Sequence, residues 1–494
     1  MKKPSLSLTL LLCLLLNLSV QADVAITVEK GLLKEPFTGR IYVVIAPERE
    51  GRLPLQANYW FAPLEILAKD VENFKAGDVI NISRDDLRYL KPMAGDKPYA
   101  LQALFRLNTR DANPFHSQGN LYSEPLSLDK SAYEALDLEV QVNKRIDDDS
   151  PLAEQRPPES NRLKYHAFES QLLSEFHDEP YFVDMAVHLP KDFDADSDKT
   201  YPVLYYVTGM GGNEVEMLRV MRGYESYMDH YILVSVDAMS YGGHSVFADS
   251  ANTGPWGAML TEEIIPFVDK TYRGKGAESR YVTGISSGGW SSLWLQVRYP
   301  EVFAGVWSFV PDPIDFRDFQ RINLYASDQN LYRNNLGEER LVARTGSGQP
   351  LIKYQDFISL ETVMGEGGQI RSFEYVFSPR GEDGKPIPFF DRQTGKINRE
   401  VVEAWKPYDI RLYLKQNWAD LKDVLKGKLH VYGGERDQFF LEGPVRLLRE
   451  ELIMLGAEED VRVIEGMTHS FHPEAMEDML KTITGQQSKP SDPK

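Results

Sequence analysis

A serine flanked by glycines is the residue of this chain best placed to do chemistry. It lies in the run Gly284-Ile285-Ser286-Ser287-Gly288, with a β-type stretch before it and a helix-type stretch after it. Small residues are needed where a strand turns sharply into a helix, because strand and helix then pack too closely for side chains. Such a nucleophile elbow exposes the serine Oγ at the end of a parallel sheet. The alternative interpretation is a tight turn without chemistry.

A serine hydroxyl needs a base to take its proton, and the base needs an acid that fixes its tautomer. In folds with an elbow the chain order is serine, acid, histidine. Three histidines follow Ser286: His430, His469 and His472. His430 falls within a β-type run, which favours a structural role. His469 follows the last predicted strand and is the favoured base, with His472 as the alternative.

The acid and the oxyanion donors are expected at the ends of other predicted strands. Asp437 follows a β-type run and is the favoured acid, with Glu435 as the alternative. A developing oxyanion needs two backbone N–H donors. One is the N–H of Ser287, and the other comes from the glycine-rich loop 209–212, where Met210 is the best candidate. Without Ser286, this loop would be interpreted as a simple turn.

The elements that must position these residues begin near residue 162. From there strand and helix patterns alternate, which predicts an α/β fold with a mostly parallel sheet and helices on both faces. The predicted strands are 181–189, 203–208, 231–237, 280–283, 304–309, 429–432 and 461–464, and the predicted helices are 259–272, 287–298, 445–455 and 474–483.

A separate all-β region precedes this α/β domain. Short β-type runs and turn residues over 23–143 predict a small sandwich-like domain of about seven strands. Residues 144–161 are polar and proline-bearing and predict a linker, and 486–494 predict a disordered tail. The aromatic run Tyr59-Trp60-Phe61 is either a binding platform or, the favoured interpretation, domain core.

Residues 311–424 interrupt the alternation of strands and helices within the predicted α/β domain, which spans 162–485. The interval is charged and glycine-rich in several places. It predicts an insertion that caps the active-site end of the sheet, with a surface excursion that takes no part in catalysis as an equal alternative.

The first 22 residues have the pattern of an export signal. Lys2 and Lys3 precede an apolar run over 8–16, and a small-residue cleavage site ends at Ala22. A membrane anchor is the alternative, but the run is too short to span a bilayer. Cleavage would remove Cys13, the single cysteine. The mature protein is therefore predicted to be periplasmic or secreted and to have no disulfide, thiol nucleophile or thiolate metal site.

Charge and composition exclude several classes of partner. The formal net charge of −19 over 494 residues argues against binding to nucleic acid or to an anionic membrane. No later segment predicts a membrane span. No ligand spacing predicts a catalytic metal and no glycine-rich loop predicts a nucleotide, so no cofactor is expected. The sequence does not predict an oligomeric state.

The second domain resembles the Putative esterase family of α/β-hydrolases, which includes esterase D-like, feruloyl esterase and antigen 85-like enzymes. The matching segments cover about 163–310 and 425–475. The resemblance implies Ser286 as nucleophile, Asp437 as acid, His469 as base and the Met210 N–H at the oxyanion hole. Trp256 is predicted to contact substrate. Two departures stand out: the family usually has His-Gly where this chain has Thr208-Gly209, and the 311–424 interval is longer than in small members. Within those two ranges, the short motifs that carry the resemblance are 201–206, 252–256, 262–266, 271–273, 284–289 and 434–439.

The expected function is that of an exported serine esterase, in which Ser286 forms an acyl-enzyme that water releases. The substrate is expected to be a small-molecule or carbohydrate-linked ester. An acyltransferase would use the same triad, and a peptidase is a weaker alternative. A non-catalytic binding protein on a hydrolase fold is the alternative from another class.

Overall fold

The computed structural model describes residues 23–93, 98–109, 113–153, 155–194, 197–457 and 459–486. The predicted export signal at 1–22 lies outside the described residues, and so does the predicted tail apart from residue 486. No helix in the described ranges is both long and apolar enough to cross a bilayer.

The N-terminal region is a single hydrogen-bonded sheet of nine strands within the described residues, ordered β4-β1-β9-β7-β6-β2-β3-β5 with β8 beside β6. Alternate side chains of the first strand are buried, as expected for a strand with one face on a core. Lys69 of the third strand donates to the Asn81 carbonyl of the fourth at 2.9 Å, so the sheet curls on itself. The strands are β1 (Asp23–Val28), β2 (Phe37–Pro47), β3 (Leu64–Phe74), β4 (Ile80–Ser83), β5 (Leu87–Lys91), β6 (Tyr99–Phe105), β7 (Leu121–Ser123), β8 (Leu126–Leu128) and β9 (Leu138–Arg145).

The region that follows alternates strands and helices. Its strands are β10 (Leu163–Ser170), β11 (Tyr181–His188), β12 (Val203–Val207), β13 (Ile232–Val236), β14 (Met239–Ser240), β15 (Gly243–His244), β16 (Asp249–Ser250), β17 (Gly254–Pro255), β18 (Arg280–Ile285), β19 (Gly305–Phe309), β20 (Leu341–Arg344), β21 (Pro350–Lys353), β22 (Leu429–Gly434) and β23 (Asp460–Ile464).

The helices, with one in the N-terminal region, are α1 (Lys130–Ala135), α2 (Gln171–His177), α3 (Glu216–Val220), α4 (Glu225–Met228), α5 (Trp256–Ala258), α6 (Ile265–Tyr272), α7 (Ser287–Arg298), α8 (Tyr354–Met364), α9 (Gln369–Phe377), α10 (Arg399–Trp405), α11 (Ile410–Leu425), α12 (Glu442–Met454) and α13 (Pro473–Thr484). A π-helical segment, Met259–Ile264, joins α5 to α6. Pro266 follows it and has no N–H to donate, which accounts for the wider turn inside the predicted helix 259–272.

The main sheet of the second region has the order β10-β11-β13-β12-β18-β19-β22-β23 in the described residues. The pairings from β13 to β23 are parallel, and those of β10 with β11 and of β11 with β13 are antiparallel. Strands β12, β13 and β19 are buried throughout, because helices cover both faces. Parallel strands end at the same edge of a sheet, so the loops after β12, β18, β19, β22 and β23 meet there.

Two boundaries differ in detail from the predicted ones. Strand β9 runs to Arg145, within the predicted linker 144–161, and Ile146 and Leu152 of that interval are buried in the core. The predicted insertion 311–424 contains β20, β21, helices α8 to α10 and all but the last residue of α11. Helix α11 packs against α7 and α12, so the end of this interval is a helix that covers the sheet.

Candidate functional site

Ser286 lies between β18 and α7, at the turn predicted from the sequence. Its backbone has φ 58° and ψ −122°, a conformation that L-residues rarely adopt. A Cβ at Gly284 would meet the Gly288 carbonyl, and a Cβ at Gly288 would meet the Val207 and Thr208 carbonyls. Both glycines are therefore required by the close approach of strand, helix and neighbouring loop.

Asp437 follows β22 and is fully buried. Its Oδ1 accepts the backbone N–H groups of Phe439 at 2.8 Å and Leu441 at 3.3 Å. Its Oδ2 lies 2.8 Å from Nδ1 of His469, in the loop after β23. The His469 backbone N–H donates to Oε1 of Gln438 at 2.6 Å. The acid and the imidazole are thus held together by the turns that carry them.

The two alternatives left open by the sequence lie elsewhere. His472 is the N-cap of α13, where its Nδ1 accepts the Ala475 N–H at 3.4 Å. Glu435 is exposed and accepts the Gly466 N–H at 2.9 Å. The structure therefore brings Asp437 to His469 and gives His472 and Glu435 local structural contacts.

The loop after β12 carries Met210 close to the serine. A Cβ at Gly209 would lie 3.3 Å from the Ile285 carbonyl oxygen and 3.5 Å from Cβ of Ser286, so loop and elbow are in contact. Within the described residues, no hydrogen bond uses the backbone N–H of Met210 or of Ser287. Both groups are therefore able to donate to an oxygen bound beside Ser286.

A buried histidine supports this loop from behind. His244 lies on β15, and its Nδ1 accepts the Val246 N–H at 3.0 Å while its Nε2 lies 2.9 Å from the Thr208 carbonyl. Since Nδ1 accepts, we assign the proton to Nε2, which donates to the carbonyl. Burial lowers the pKa of His244 to about 4, so the ring is neutral. The loop thus has a histidine support although residue 208 is a threonine.

A second carboxyl, Asp312, lies beside the serine. It follows β19, is buried, and its Oδ2 accepts from Ser287 Oγ at 2.5 Å and from Gln369 Nε2 at 2.9 Å. The Ser286 hydroxyl donates to its Oδ1 at 3.4 Å. Burial raises the pKa of Asp312, while hydrogen bonds from Ser287 and Gln369 and the charge of His469 lower it. In the described part of the chain, Ser286 makes no hydrogen bond to His469.

Sequence reasoning missed His244, Asp312 and Gln369. Asp312 could have been found, because the Pro311-Asp312-Pro313 run comes shortly after a predicted strand. Asp437 was favoured as the acid on the same ground. His244 and Gln369 could not have been found in this way, because their roles depend on contacts between segments far apart in the chain.

Ser286 and His469 face a common cavity of about 370 Å³. One side, here called the sheet wall, consists of Met210, Ser286, Asp312, Phe439 and His469, which follow the ends of parallel strands. A second set of lining residues, here called the facing wall, consists of Asn58, Trp60 and Phe61 from the N-terminal region and Phe357, Gln369 and Phe373 from α8 and α9. Three distant parts of the chain therefore enclose the serine.

Trp256, the predicted substrate contact, is fully buried in the core. Its Nε1 donates to the Thr253 carbonyl at 3.0 Å, and its ring lies edge-on to Phe247 and Tyr181. It is not among the residues that line the Ser286 cavity, so the structure does not bring it to Ser286. No group of three or more metal-ligating side chains occurs within the described residues.

The family model described as "Putative esterase" matches residues 182–439. This span contains Ser286 and Asp437 and ends before His469. No curated protein matches the chain significantly.

Several solved structures are similar to the chain. A ferulic acid esterase is 16% identical, covers 66% of this chain and 98% of its own, and has a TM-score of 0.39. The S-formylglutathione hydrolase of Agrobacterium tumefaciens is 15% identical, with coverages of 66% and 95% and a TM-score of 0.39. That of Staphylococcus aureus is 15% identical, with coverages of 65% and 97% and a TM-score of 0.40.

Proposed function

The chain belongs to the Putative esterase family, and from this premise we propose that it hydrolyses carboxylic esters by a serine mechanism, with Ser286 as nucleophile, His469 as base and Asp437 as the orienting acid. One observation carries the proposal: His469, fixed by buried Asp437 at 2.8 Å, shares a cavity with a serine held in a strained elbow. These are the parts that acyl transfer through a serine requires.

In the first half-reaction, His469 Nε2 takes the Ser286 proton as Oγ bonds to the ester carbonyl carbon. The carbonyl oxygen becomes an oxyanion that accepts from the N–H groups of Met210 and Ser287. The ester C–O bond then breaks, and the proton on Nε2 passes to the departing alkoxide. An acyl-enzyme and a free alcohol result.

In the second half-reaction, water takes the place of the alcohol. His469 removes a proton from the water as its oxygen bonds to the acyl carbon, and the proton returns to Oγ as the acyl–serine bond breaks. Asp437 stays ionised and stabilises the imidazolium that forms in each half-reaction. The carboxylic acid leaves and the resting enzyme is restored.

The resting hydroxyl donates to Asp312 at 3.4 Å, so this hydrogen bond must break before the Ser286 proton passes to His469. We infer that Asp312 is a positioning residue that holds this resting rotamer and orients Ser287 and Gln369. A positive charge on His469 lowers the pKa of Asp312.

The test is the substitution Ser286→Ala. It should lower kcat for p-nitrophenyl acetate by about 10,000-fold or more and abolish labelling by a fluorophosphonate. Ser292→Ala, six residues further along the chain in α7, removes a hydroxyl that bonds only to the Gly289 carbonyl among the described residues and serves as control. A Ser286→Ala protein with wild-type activity would overturn the proposal, and absent labelling of folded wild type would support a non-catalytic binding protein.

We propose that the ester is a small molecule or linked to a carbohydrate and that the protein is exported. The basis for export is the charged, apolar and small-residue pattern of 1–22. N-terminal sequencing of protein from the periplasm or medium should begin at Asp23. Protein that stays in the cytoplasm with Met1 intact would contradict export.

We also propose that 23–143 is a sandwich-like domain and that 162–485 is the esterase domain, with the insertion over 311–424. The curled sheet and its own apolar core support the first unit. Limited proteolysis should cut first between 154 and 161. Cleavage within β2 or β6 before that interval would contradict this division.

A further inference from the structure

The turn Asn58–Phe61 of the N-terminal region lines the cavity that contains Ser286 and His469. Hydrogen bonds fix this turn, because Asn58 Oδ1 accepts the Trp60 N–H at 3.1 Å and the Ala62 N–H donates to the Asn58 carbonyl at 2.7 Å. The two aromatic side chains remain partly exposed, and Phe61 is 39% accessible. They are therefore held on a hydrogen-bonded turn, with part of each side chain left outside the core.

Aromatic contacts connect the turn to the base. The Trp60 ring lies 4.6 Å from that of Phe357 and 6.2 Å from that of Phe439, to which it is edge-on. The Phe439 ring lies 4.8 Å from the imidazole of His469. An uncharged group bound against Trp60 is thus within reach of an ester carbonyl at Ser286.

The N-terminal region is firmly attached to the helix behind this wall. Arg40 Nη1 donates to the Thr362 and Val363 carbonyls at 2.8 and 2.9 Å, at the end of α8. The buried Tyr42 hydroxyl donates to the Met364 carbonyl at 2.6 Å. These bonds satisfy carbonyls that the end of a helix leaves free, so Trp60 has a fixed position relative to Phe357.

The chemistry of the cavity defines what it can receive. Five aromatic rings line it, those of Trp60, Phe61, Phe357, Phe373 and Phe439. Its acidic side chains are Asp312 and Glu216, and no Lys or Arg is among its described lining residues. An anionic substrate group would meet negative charge without a cationic partner, whereas an apolar group would bury its surface against the rings.

We propose that the N-terminal domain is part of the active site, and that Trp60 and Phe61 bind an uncharged apolar group of the ester, such as a ring or a hydrocarbon chain. This inference rests on the proposed function, since it assumes ester cleavage at Ser286. It gives the N-terminal domain a role in substrate selection. The aromatic run 59–61 then serves as a binding platform and not only as core.

The test compares kcat/KM of Trp60→Ala and Phe61→Ala with wild type on four esters in a pH-stat assay. Ethyl acetate is the reference, ethyl benzoate carries a ring on the acyl side, benzyl acetate carries it on the alcohol side, and ethyl hexanoate carries a chain. For one or more of the last three, kcat/KM should fall about 10-fold, while ethyl acetate changes by less than about 3-fold. The most affected ester identifies where the apolar group lies.

Controls separate this inference from folding and from the proposed function. Phe182→Ala removes an aromatic side chain that is 49% exposed and outside this cavity, and it should leave all four values unchanged. Trp60→Phe keeps a ring if Trp60→Ala does not fold. The inference would be overturned if Phe61→Ala and a folded Trp60 variant both kept the wild-type ratios of kcat/KM among the four esters. It would also be overturned if the unaltered enzyme had a higher kcat/KM for the anionic monoethyl succinate than for ethyl hexanoate. Activity retained by Ser286→Ala would instead overturn the proposed function.

Discussion

The sheet wall and the facing wall of the cavity are built in different ways. Each sheet-wall residue follows a parallel strand within a few positions, so its place is set by short-range chain geometry. The facing wall combines residues 58–61 with α8 and α9, about 300 residues apart, and long-range packing alone brings them together. Under the proposed function, the residues for the chemistry are placed by local chain geometry, whereas those for substrate selection are placed by tertiary structure. Four predictions test this contrast.

The largest effect is expected on the sheet wall, from Asp437→Asn. The amide would present a donor to His469 Nδ1 or lose the 2.8 Å contact, so the imidazole would no longer be held in the tautomer that accepts a proton on Nε2. We expect kcat for p-nitrophenyl acetate to fall about 1,000- to 10,000-fold.

Glu435→Gln is the matched control, since Glu435 lies two residues away and is exposed. It should keep wild-type kcat. A larger loss in Glu435→Gln than in Asp437→Asn would reverse the assignment of the acid and, with it, the claim that strand ends locate the chemistry.

In the helices of the facing wall, we expect a pH-dependent effect on the free energy of unfolding, and it arises from Glu361 of α8. This carboxyl is buried, accepts the Ile370 N–H at 2.8 Å at the start of α9, and has a pKa raised by burial to about 7 from its ordinary 4.5. Its contribution to stability is therefore full below about pH 4.5 and is lost as the pH rises through about 7.

The side chain of Glu361→Gln carries no charge at either pH. From pH 4.5 to pH 8, its free energy of unfolding should therefore rise relative to that of the wild type, by a difference on the order of 3 kcal/mol. Urea unfolding at both pH values measures it. Glu382→Gln, an exposed carboxyl of the same interval, should show no such trend. An equal stability difference at both pH values would contradict a raised pKa in the folded state.

The contrast between the walls also explains what the sequence predicts. The prediction of Ser286, Asp437 and His469 rests on a glycine pattern and on strand ends, and both are visible in the sequence itself. Trp60 was assigned to the core because an aromatic run alone does not reveal which surface will cover it. The role of His244 could not be predicted from the sequence. Residue 208, where the family usually has a histidine, is a threonine here, and the histidine that contacts its carbonyl lies 36 positions later.

The loop that carries Met210 is supported by the distant residue His244. A substitution of His244 therefore tests whether short-range chain geometry alone places this part of the sheet wall. His244→Phe fills the space but leaves the buried Thr208 carbonyl and Val246 N–H without their partner, at a cost of about 1–3 kcal/mol for each group. If the Met210 N–H shifts with the loop, kcat for p-nitrophenyl acetate should fall about 10- to 30-fold with little change in KM.

His430→Phe is the control for a ring exchanged elsewhere in the sheet. His430 stacks on Trp307 and is not among the residues that line the cavity, so its kcat should stay at the wild-type value. Stability lost in His244→Phe without any loss of kcat would show that the loop holds its geometry unaided.

The smallest effect is expected at Asp312, where the two walls meet. Its carboxyl accepts from the hydroxyl of Ser287, the neighbour of Ser286, and from Gln369 of the facing wall. Asp312→Asn replaces the carboxyl that accepts from Ser286, Ser287 and Gln369 by an amide. We expect kcat for p-nitrophenyl acetate to fall about 5- to 10-fold, because the resting serine hydroxyl and its neighbours lose their common acceptor.

Gln369→Ala removes one donor from the same cluster and leaves the Asp312 carboxyl in place. It should lower kcat by less than Asp312→Asn does, which separates the carboxyl from the packing around it. Wild-type kcat in Asp312→Asn would contradict a positioning role for Asp312. A loss of kcat in Gln369→Ala would show that the facing wall, by holding Asp312 through Gln369, also adjusts the chemistry of the sheet wall.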